Sequence, residues 1–242
     1  MIPFRDDNPT RRFPVITLLI ILANTLVFLY QQLLPSAARG VGPQEAFVYY
    51  FAAVPGHVVF GKNFGLPMLE PAWLTIFTSM FMHGGWMHLL GNMLYLWIFG
   101  NNIEDLLGRF RFIVFYFVCG LAAAALQLTM SLGSQAQAIP MLGASGAIAG
   151  VLGGYFVKYP TARVRTLIFL FLFIQVVSLP AYVVLGFWFV MQFFSAMANA
   201  AAGLGHGGVA FFAHVGGFVA GMVLVGIFGI GRHTRRPAWW EE

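Results

Sequence analysis

Apolar residues fall into six runs separated by polar and basic residues: Phe13 to Leu34, Trp86 to Phe99, Phe110 to Met130, Leu142 to Val157, Ala181 to Ala200 and Val209 to Ile230. A helix crossing the hydrocarbon core of a bilayer needs about 20 residues. The pattern therefore predicts six membrane helices, with the shorter second and fourth runs each borrowing a flanking turn. Thr166 to Leu179 is apolar too, but Pro180 interrupts it before the fifth helix, because proline removes a backbone donor and clashes with the preceding turn. This stretch is expected to be an interfacial or re-entrant piece leading into that helix. The connection from Pro35 to Ala72 is long, aromatic and poor in charge, so it is expected to lie partly in the interface. The expected fold is an all-α, six-helix membrane bundle over residues 13–230, with short segments 1–12 and 231–242 outside it.

Composition agrees with the membrane class. Of the 242 residues, 60% are hydrophobic and only 9% charged, with a mean hydropathy of +0.81. An average soluble domain carries about a quarter charged residues. The single cysteine, Cys119, lies in an apolar run, so no disulfide framework exists and a small packing role is expected. The net charge of +5 does not point to nucleic acid, because the basic residues are dispersed at the ends of the apolar runs. Arg5, Arg11, Arg12, Arg109, Arg111, Lys158, Arg163, Arg165, Arg232, Arg235 and Arg236 lie at the termini and the second and fourth connections, leaving only Arg39 and Lys62 of the 13 on the other face. The excess of Lys and Arg on cytoplasmic loops then predicts that both termini are inside.

The first run also looks like a signal peptide, with two arginines, an apolar stretch and Ser36-Ala37-Ala38. Its length exceeds the usual apolar region of such a peptide and favours a retained helix. Asn24 within it is expected to hydrogen-bond across helices.

In this topology the second, fourth and sixth helices run from outside to inside, so their N-terminal ends share the outer leaflet. Ser145 lies near the start of the fourth, in Met141-Leu142-Gly143-Ala144-Ser145-Gly146-Ala147-Ile148. His83 and His88 precede or open the second, and His214 lies about five residues into the sixth, on the order of 7 Å below its outer end. His88 and Asn92 are four apart and share a helical face, whereas His83 belongs to the loop behind Gly84-Gly85 and is not a simple third member of that face. His214, Gly217 and Gly221 form one stripe, and Gly146, Gly150 and Gly154 another; small residues at this spacing let helix backbones approach closely. Taken singly, Ser145 reads as a small packing residue and His214 as a core histidine. Their coincidence in depth instead puts a nucleophile level with a base.

The eight acidic residues are Asp6, Asp7, Glu45, Glu70, Glu104, Asp105, Glu241 and Glu242, and none falls in the outer part of a span. Serine chemistry here must run on a dyad without a carboxylate. The chain lacks HExxH and an intramembrane carboxylate pair, which argues against zinc and aspartyl proteases. A metal site built from His83, His88 and His214 would lack a carboxylate or thiolate in its layer.

These residues resemble the rhomboid family of intramembrane serine proteases from Trp73 to Gly221. The resemblance rests on Thr78-Ser79-Met80-Phe81-Met82-His83 with His88 and Asn92, on Gly100, Glu104 and Gly108 at four-residue spacing, on Gly143-Ala144-Ser145-Gly146-Ala147, and on Ala213-His214 with Gly217. It implies that Ser145 is the nucleophile and His214 the general base and acid. It also implies that His88 and Asn92, with the Ser145 N–H, stabilise the oxyanion, that His83 supports that region, and that Glu104 is structural. Two positions depart from the family pattern: Trp73-Leu74 stands where Trp-Arg is frequent, and Ala149 stands where many members carry an aromatic that stacks on the histidine. The implied activity is cleavage of single-span or polytopic membrane proteins near the outer face, with no cofactor and no nucleic-acid partner, in a bacterial inner membrane. A catalytically inactive relative that binds membrane proteins, and a small proton-coupled transporter, are the alternatives from other classes.

Overall fold

A computed structural model describes residues 1–37, 40–170, 173–201 and 211–230. The expected start of the sixth helix at Val209, the tail 231–242 and Arg39 lie outside the described residues. In chain order the elements are β1 (Ile2–Asp6), α1 (Val15–Leu33), α2 (Pro43–Phe51), α3 (Pro55–Phe60), α4 (Leu74–Thr78), α5 (Trp86–Tyr95), α6 (Asn101–Leu107), α7 (Arg109–Ser131), α8 (Ser145–Lys158), β2 (Arg163–Leu170), β3 (Phe173–Pro180), α9 (Ala181–Ala201) and α10 (Phe211–Phe228). A π-helical segment, Leu96–Gly100, joins α5 to α6, so the second apolar run continues as helix to Leu107, well past Phe99. Helices α1, α7 and α10 are long and apolar enough to cross a membrane by length and composition.

The protein is mostly helical but not all-α. Residues Thr166 to Leu179, expected as a re-entrant piece, form an antiparallel hairpin of β2 and β3, and β1 adds to β2 to complete a sheet in the order β1-β2-β3. The base of the hairpin alternates as a strand should, with Arg163 and Arg165 exposed and Val164 and Thr166 buried. An unbroken apolar tip hid that alternation from a reading of hydrophobicity alone. Part of the expected N-terminal segment is thus a strand of this sheet.

The core lies where α7, α8 and α10 meet, and glycine allows the approach. A Cβ on Gly217 would collide with the carbonyl of Gly146, one on Gly221 with the backbone of Gly150, and one on Gly153 with the carbonyl of Phe218. Helix α8 also meets α7 through glycine, since a Cβ on Gly146 would overlap Ala123 and one on Gly150 would overlap Cys119. Cys119 is fully buried there. The two glycine stripes therefore put the backbones of α8 and α10 in direct contact.

Helix α1 is attached differently. The buried Glu104 carboxylate of α6 accepts hydrogen bonds from the Ile16 N–H (3.0 Å), the Thr17 N–H (2.8 Å) and the Thr17 hydroxyl (2.8 Å). It caps the orphan donors of the first turn of α1 from another helix, where a negative charge also opposes the positive end of the helix dipole. Asn24, expected to bond across helices, instead donates to the Ile20 carbonyl one turn back in α1 (2.8 Å). A polar side chain in an apolar helix satisfies its donor on the nearest free lone pair, which is here its own backbone.

Candidate active site

Ser145 is the first residue of α8, with Ala144 as N-cap. No carbonyl one turn earlier in the helix accepts from the amides of Ser145, Gly146 and Ala147, because these are the opening donors of the helix. Together with the positive end of the dipole they form a place for negative charge beside the serine hydroxyl.

The approach to the serine is held in extended form by neighbouring backbone. Met141 and Ala53 exchange both N–H···O bonds (2.8 and 3.1 Å), and the Gly143 N–H donates to the Ser79 carbonyl (2.9 Å). Gly143 has φ +120°, a conformation L side chains rarely adopt, and the histidine ring of α5 needs the same space. A Cβ on Gly143 would sit 2.8 Å from His88 Nε2 and 3.7 Å from Ser145 Oγ. His88 and Ser145 thus flank one glycine. The Gly84 N–H approaches His88 Nδ1 at 3.4 Å.

His83 is fully buried and returns to the face of His88 and Asn92. Its Nε2 lies 3.0 Å from Asn92 Nδ2, and its ring meets that of His88 edge-on with centroids 5.1 Å apart. With the Asn92 amide donating, His83 accepts at Nε2 and carries its own proton on Nδ1. Helical spacing placed His83 half a revolution from Asn92, but the loop through Gly84-Gly85 folds the imidazole back. Gln31 of α1 fixes that loop by donating to the His83 carbonyl (2.8 Å).

His214 is the fourth described residue of α10 and is buried. Its neighbour Ala213 lies against Gly146 of α8, so the Gly146–Gly217 contact brings the histidine alongside the serine helix. No hydrogen bond among the described residues joins Ser145 Oγ to His214, and His214 Nδ1 has no partner among them. The structure therefore presents a serine and an imidazole on touching helices, not a closed pair. Among the described residues no group of three His, Cys, Asp or Glu side chains is placed to hold a metal.

Two supporting residues escaped the sequence reading. Trp188 of α9 packs against the His214 ring with centroids 5.5 Å apart and against Tyr95 of α5 at 6.1 Å. It is the aromatic neighbour of the imidazole in a chain that carries Ala149 at the expected stacking position. Ala149 is buried, and a Cβ on Gly217 would meet it at 3.4 Å, so a large side chain there would separate α8 from α10. The second is Gln127 of α7, whose Oε1 accepts from the Ala213 N–H (3.2 Å) in the first turn of α10. Its signal in the sequence is a lone glutamine in an apolar helix.

Residues 70–230 match the family model described as Rhomboid domain. The chain belongs to the rhomboid family. Its rhomboid relatives include Rhomboid protein 1, mitochondrial, of Saccharomyces cerevisiae, 32% identical over 72% of this chain and 54% of its own. The human presenilin-associated rhomboid-like protein, mitochondrial, is 32% identical over 64% of this chain and 35% of its own. Rhomboid protease GluP of Bacillus subtilis is 32% identical over 40% of this chain and 18% of its own. The chain spans about half the length of the yeast relative and a smaller share of the others. The names of the yeast and human relatives state mitochondria, so the expectation of a bacterial inner membrane gains no support from them. What carries over is a rhomboid membrane protein.

Proposed function

We propose that this rhomboid is an intramembrane serine endopeptidase that cleaves membrane proteins within or beside a transmembrane segment, near the outer face. Ser145 is the nucleophile and His214 the base and acid. The observation that carries this reading is the clustering of Ser145, at the unsatisfied start of α8, with His88 across Gly143 and with α10 seated on Gly146. The domain is the six-span bundle of residues 13–230 with both termini inside, and its substrates are single-span or polytopic proteins that approach through the bilayer.

The serine hydroxyl attacks the scissile carbonyl while His214 takes its proton, forming a tetrahedral intermediate. The Ser145 N–H, His88 and Asn92 stabilise the developing oxyanion. Asn92 can serve this end while bound to His83, since a carboxamide nitrogen has two hydrogens and only one is committed. His214 returns the proton to the leaving amine, and water then releases the acyl group by the same path in reverse order. The open Ser145–His214 pair closes when substrate is bound, as catalytic hydrogen bonds in free enzymes commonly do. The substrate must present extended backbone, because a helix keeps its carbonyls in its own hydrogen bonds.

The test is reconstitution with a model single-span substrate, comparing the natural chain with Ser145→Ala and His214→Ala. Each change is expected to abolish cleavage, with a loss of about a thousandfold or more, and Ser145→Ala to abolish labelling by a fluorophosphonate. Cleavage that survives both changes would overturn the dyad. Binding of the substrate without cleavage by the natural chain would assign the inactive, membrane-protein-binding reading instead.

A further inference from the structure

The β-sheet lies at the Lys158 end of α8, about 20 Å along the helix from Ser145. None of the residues named in the site belongs to it. Pairing of Arg165 with Ser178, Leu167 with Val176 and Phe169 with Ile174 puts these residues on one face of the hairpin. In β1, Ile2 opposite Leu167 and Arg5 opposite Arg165 extend that face. The other face is covered at its base, where Val164 and Thr166 are fully buried, and carries the exposed Gln175 opposite Ile168 toward the tip.

The uncovered face is graded along its length. Arg5, Arg163 and Arg165 stand exposed at its base, accompanied by the Asp7 carboxylate on Arg165 (3.0 Å) and by Ser178. Toward the tip it becomes purely apolar, and Phe169, Ile174 and Val176 are each more than half exposed. The step from Arg165 to Phe169 spans about 13 Å of strand, a distance that separates a lipid phosphate from the upper acyl chains. Arg5 directly opposite Arg165 sets like charges together, and the single Asp7 carboxylate on Arg165 offsets only one of the two. After Arg165 the next charged residue in the chain is Arg232. The strand β3 runs from that tip past the arginine row directly into α9 at Ala181, where Tyr182, Phe187 and Val190 are again exposed.

We infer that the hairpin is a membrane-docking element: its tip enters the acyl region of the leaflet at the Lys158 end of α8, and its arginine row binds anionic lipid headgroups. The occupant is lipid because the apolar face begins at a row of cations in a hairpin that leads directly into the apolar helix α9, the pattern of a segment lying in a membrane interface. The sheet thereby ties the N-terminus, the end of the Ser145 helix and the start of α9 to one depth in the bilayer.

The experiment places an environment-sensitive fluorophore on a single cysteine at Ile174, in a Cys119→Ala background, in the full chain reconstituted into vesicles. Vesicles of phosphatidylcholine alone are compared with vesicles also containing phosphatidylglycerol. The label at Ile174 is expected to emit at shorter wavelength and to be quenched by lipids spin-labelled on the acyl chain, whereas a label at Arg163 is quenched by headgroup spin labels. Replacing Arg5 and Arg163 together by Gln is expected to remove any extra quenching that phosphatidylglycerol confers at Ile174. A label at Ile174 that is quenched by aqueous iodide and untouched by spin-labelled lipid would overturn the insertion. Shielding from both quenchers with self-quenching that grows with protein density would assign the face to a second copy, and would equally overturn it. Equal lipid quenching with and without the two arginines would overturn the headgroup contact. Val176 carries the label in the same way should the Ile174 variant fail to fold.

Discussion

Helices α8 and α10 touch backbone to backbone through Gly146, Gly150, Gly153, Gly217 and Gly221, whereas α1 and α9 are held by individual side chains. Glu104 holds α1, and Trp188 and its aromatic neighbours hold α9; β1 is held by its backbone ladder to β2, with Asp6 adding a side-chain contact to α8. The difference separates what cannot move from what can. A glycine contact has no rotamer to change, so the depth of Ser145 relative to His214 is set by backbone packing. A side-chain contact can open and close, and one of them, the Trp188 ring on His214, belongs to the site itself.

The largest effect should come from filling a glycine contact. Gly221→Val drives a branched side chain into the Gly150 backbone, and overpacking of this kind costs about 3 kcal/mol or more where the neighbour cannot yield. Thermal unfolding in detergent should show a greatly destabilised or unfolded protein, and a native transition would break the comparison at its rigid half. Removing the Glu104 carboxylate comes next. Glu104→Ala leaves three donors of α1 without that acceptor, the two of Thr17 buried and that of Ile16 half-buried, for a loss of about 3 kcal/mol. Limited proteolysis should find α1 released while α8 and α10 stay protected.

Trp188→Ala should affect rate more than stability. Aromatic pairs contribute about 0.5–1.5 kcal/mol, so looser support of the imidazole should lower kcat up to about tenfold. The Trp188→Phe variant should recover most of it. A stability loss with unchanged kcat would make Trp188 a packing residue only.

The smallest effect concerns Asp6, whose carboxylate accepts from the Tyr155 hydroxyl (2.7 Å) and from Asn102 Nδ2 (2.8 Å). Burial pushes its pKa up from 3.8 to about 6, against the opposing pull of those hydrogen bonds. The folded protein therefore holds a proton that the unfolded chain has released, so this group stabilises most at low pH and its contribution is lost as pH rises from about 4 to 6. Asp6→Asn should flatten that part of the stability profile, by on the order of 1 kcal/mol for a side chain partly open to solvent. An unchanged slope in equilibrium unfolding between those values would remove Asp6 from the account.

The six apolar runs were legible because few polar residues interrupt them, and all six correspond to helix over most of their described length. The hairpin was not legible. Its tip has no polar residue to reveal a period of two, and apolar runs of that kind suit helix and strand alike. Ser145, His214, His88 and Asn92 could be singled out because polar groups in apolar helices stand out. Trp188 could not, since one aromatic among many in an apolar helix carries no mark, and neither could the return of His83 to Asn92 through a loop.

By itself the sequence determined the membrane class, the helical runs, the scarcity of acidic residues and the rhomboid motifs. Each of these depends on residue type and local spacing. Tertiary structure alone decided that Trp188 meets the imidazole, that Glu104 caps α1, that β1 joins the hairpin and that Ser145 and His214 stand open. The physical reason is that these contacts join residues distant in the chain, and their partners are chosen by how closely glycine lets the helices approach.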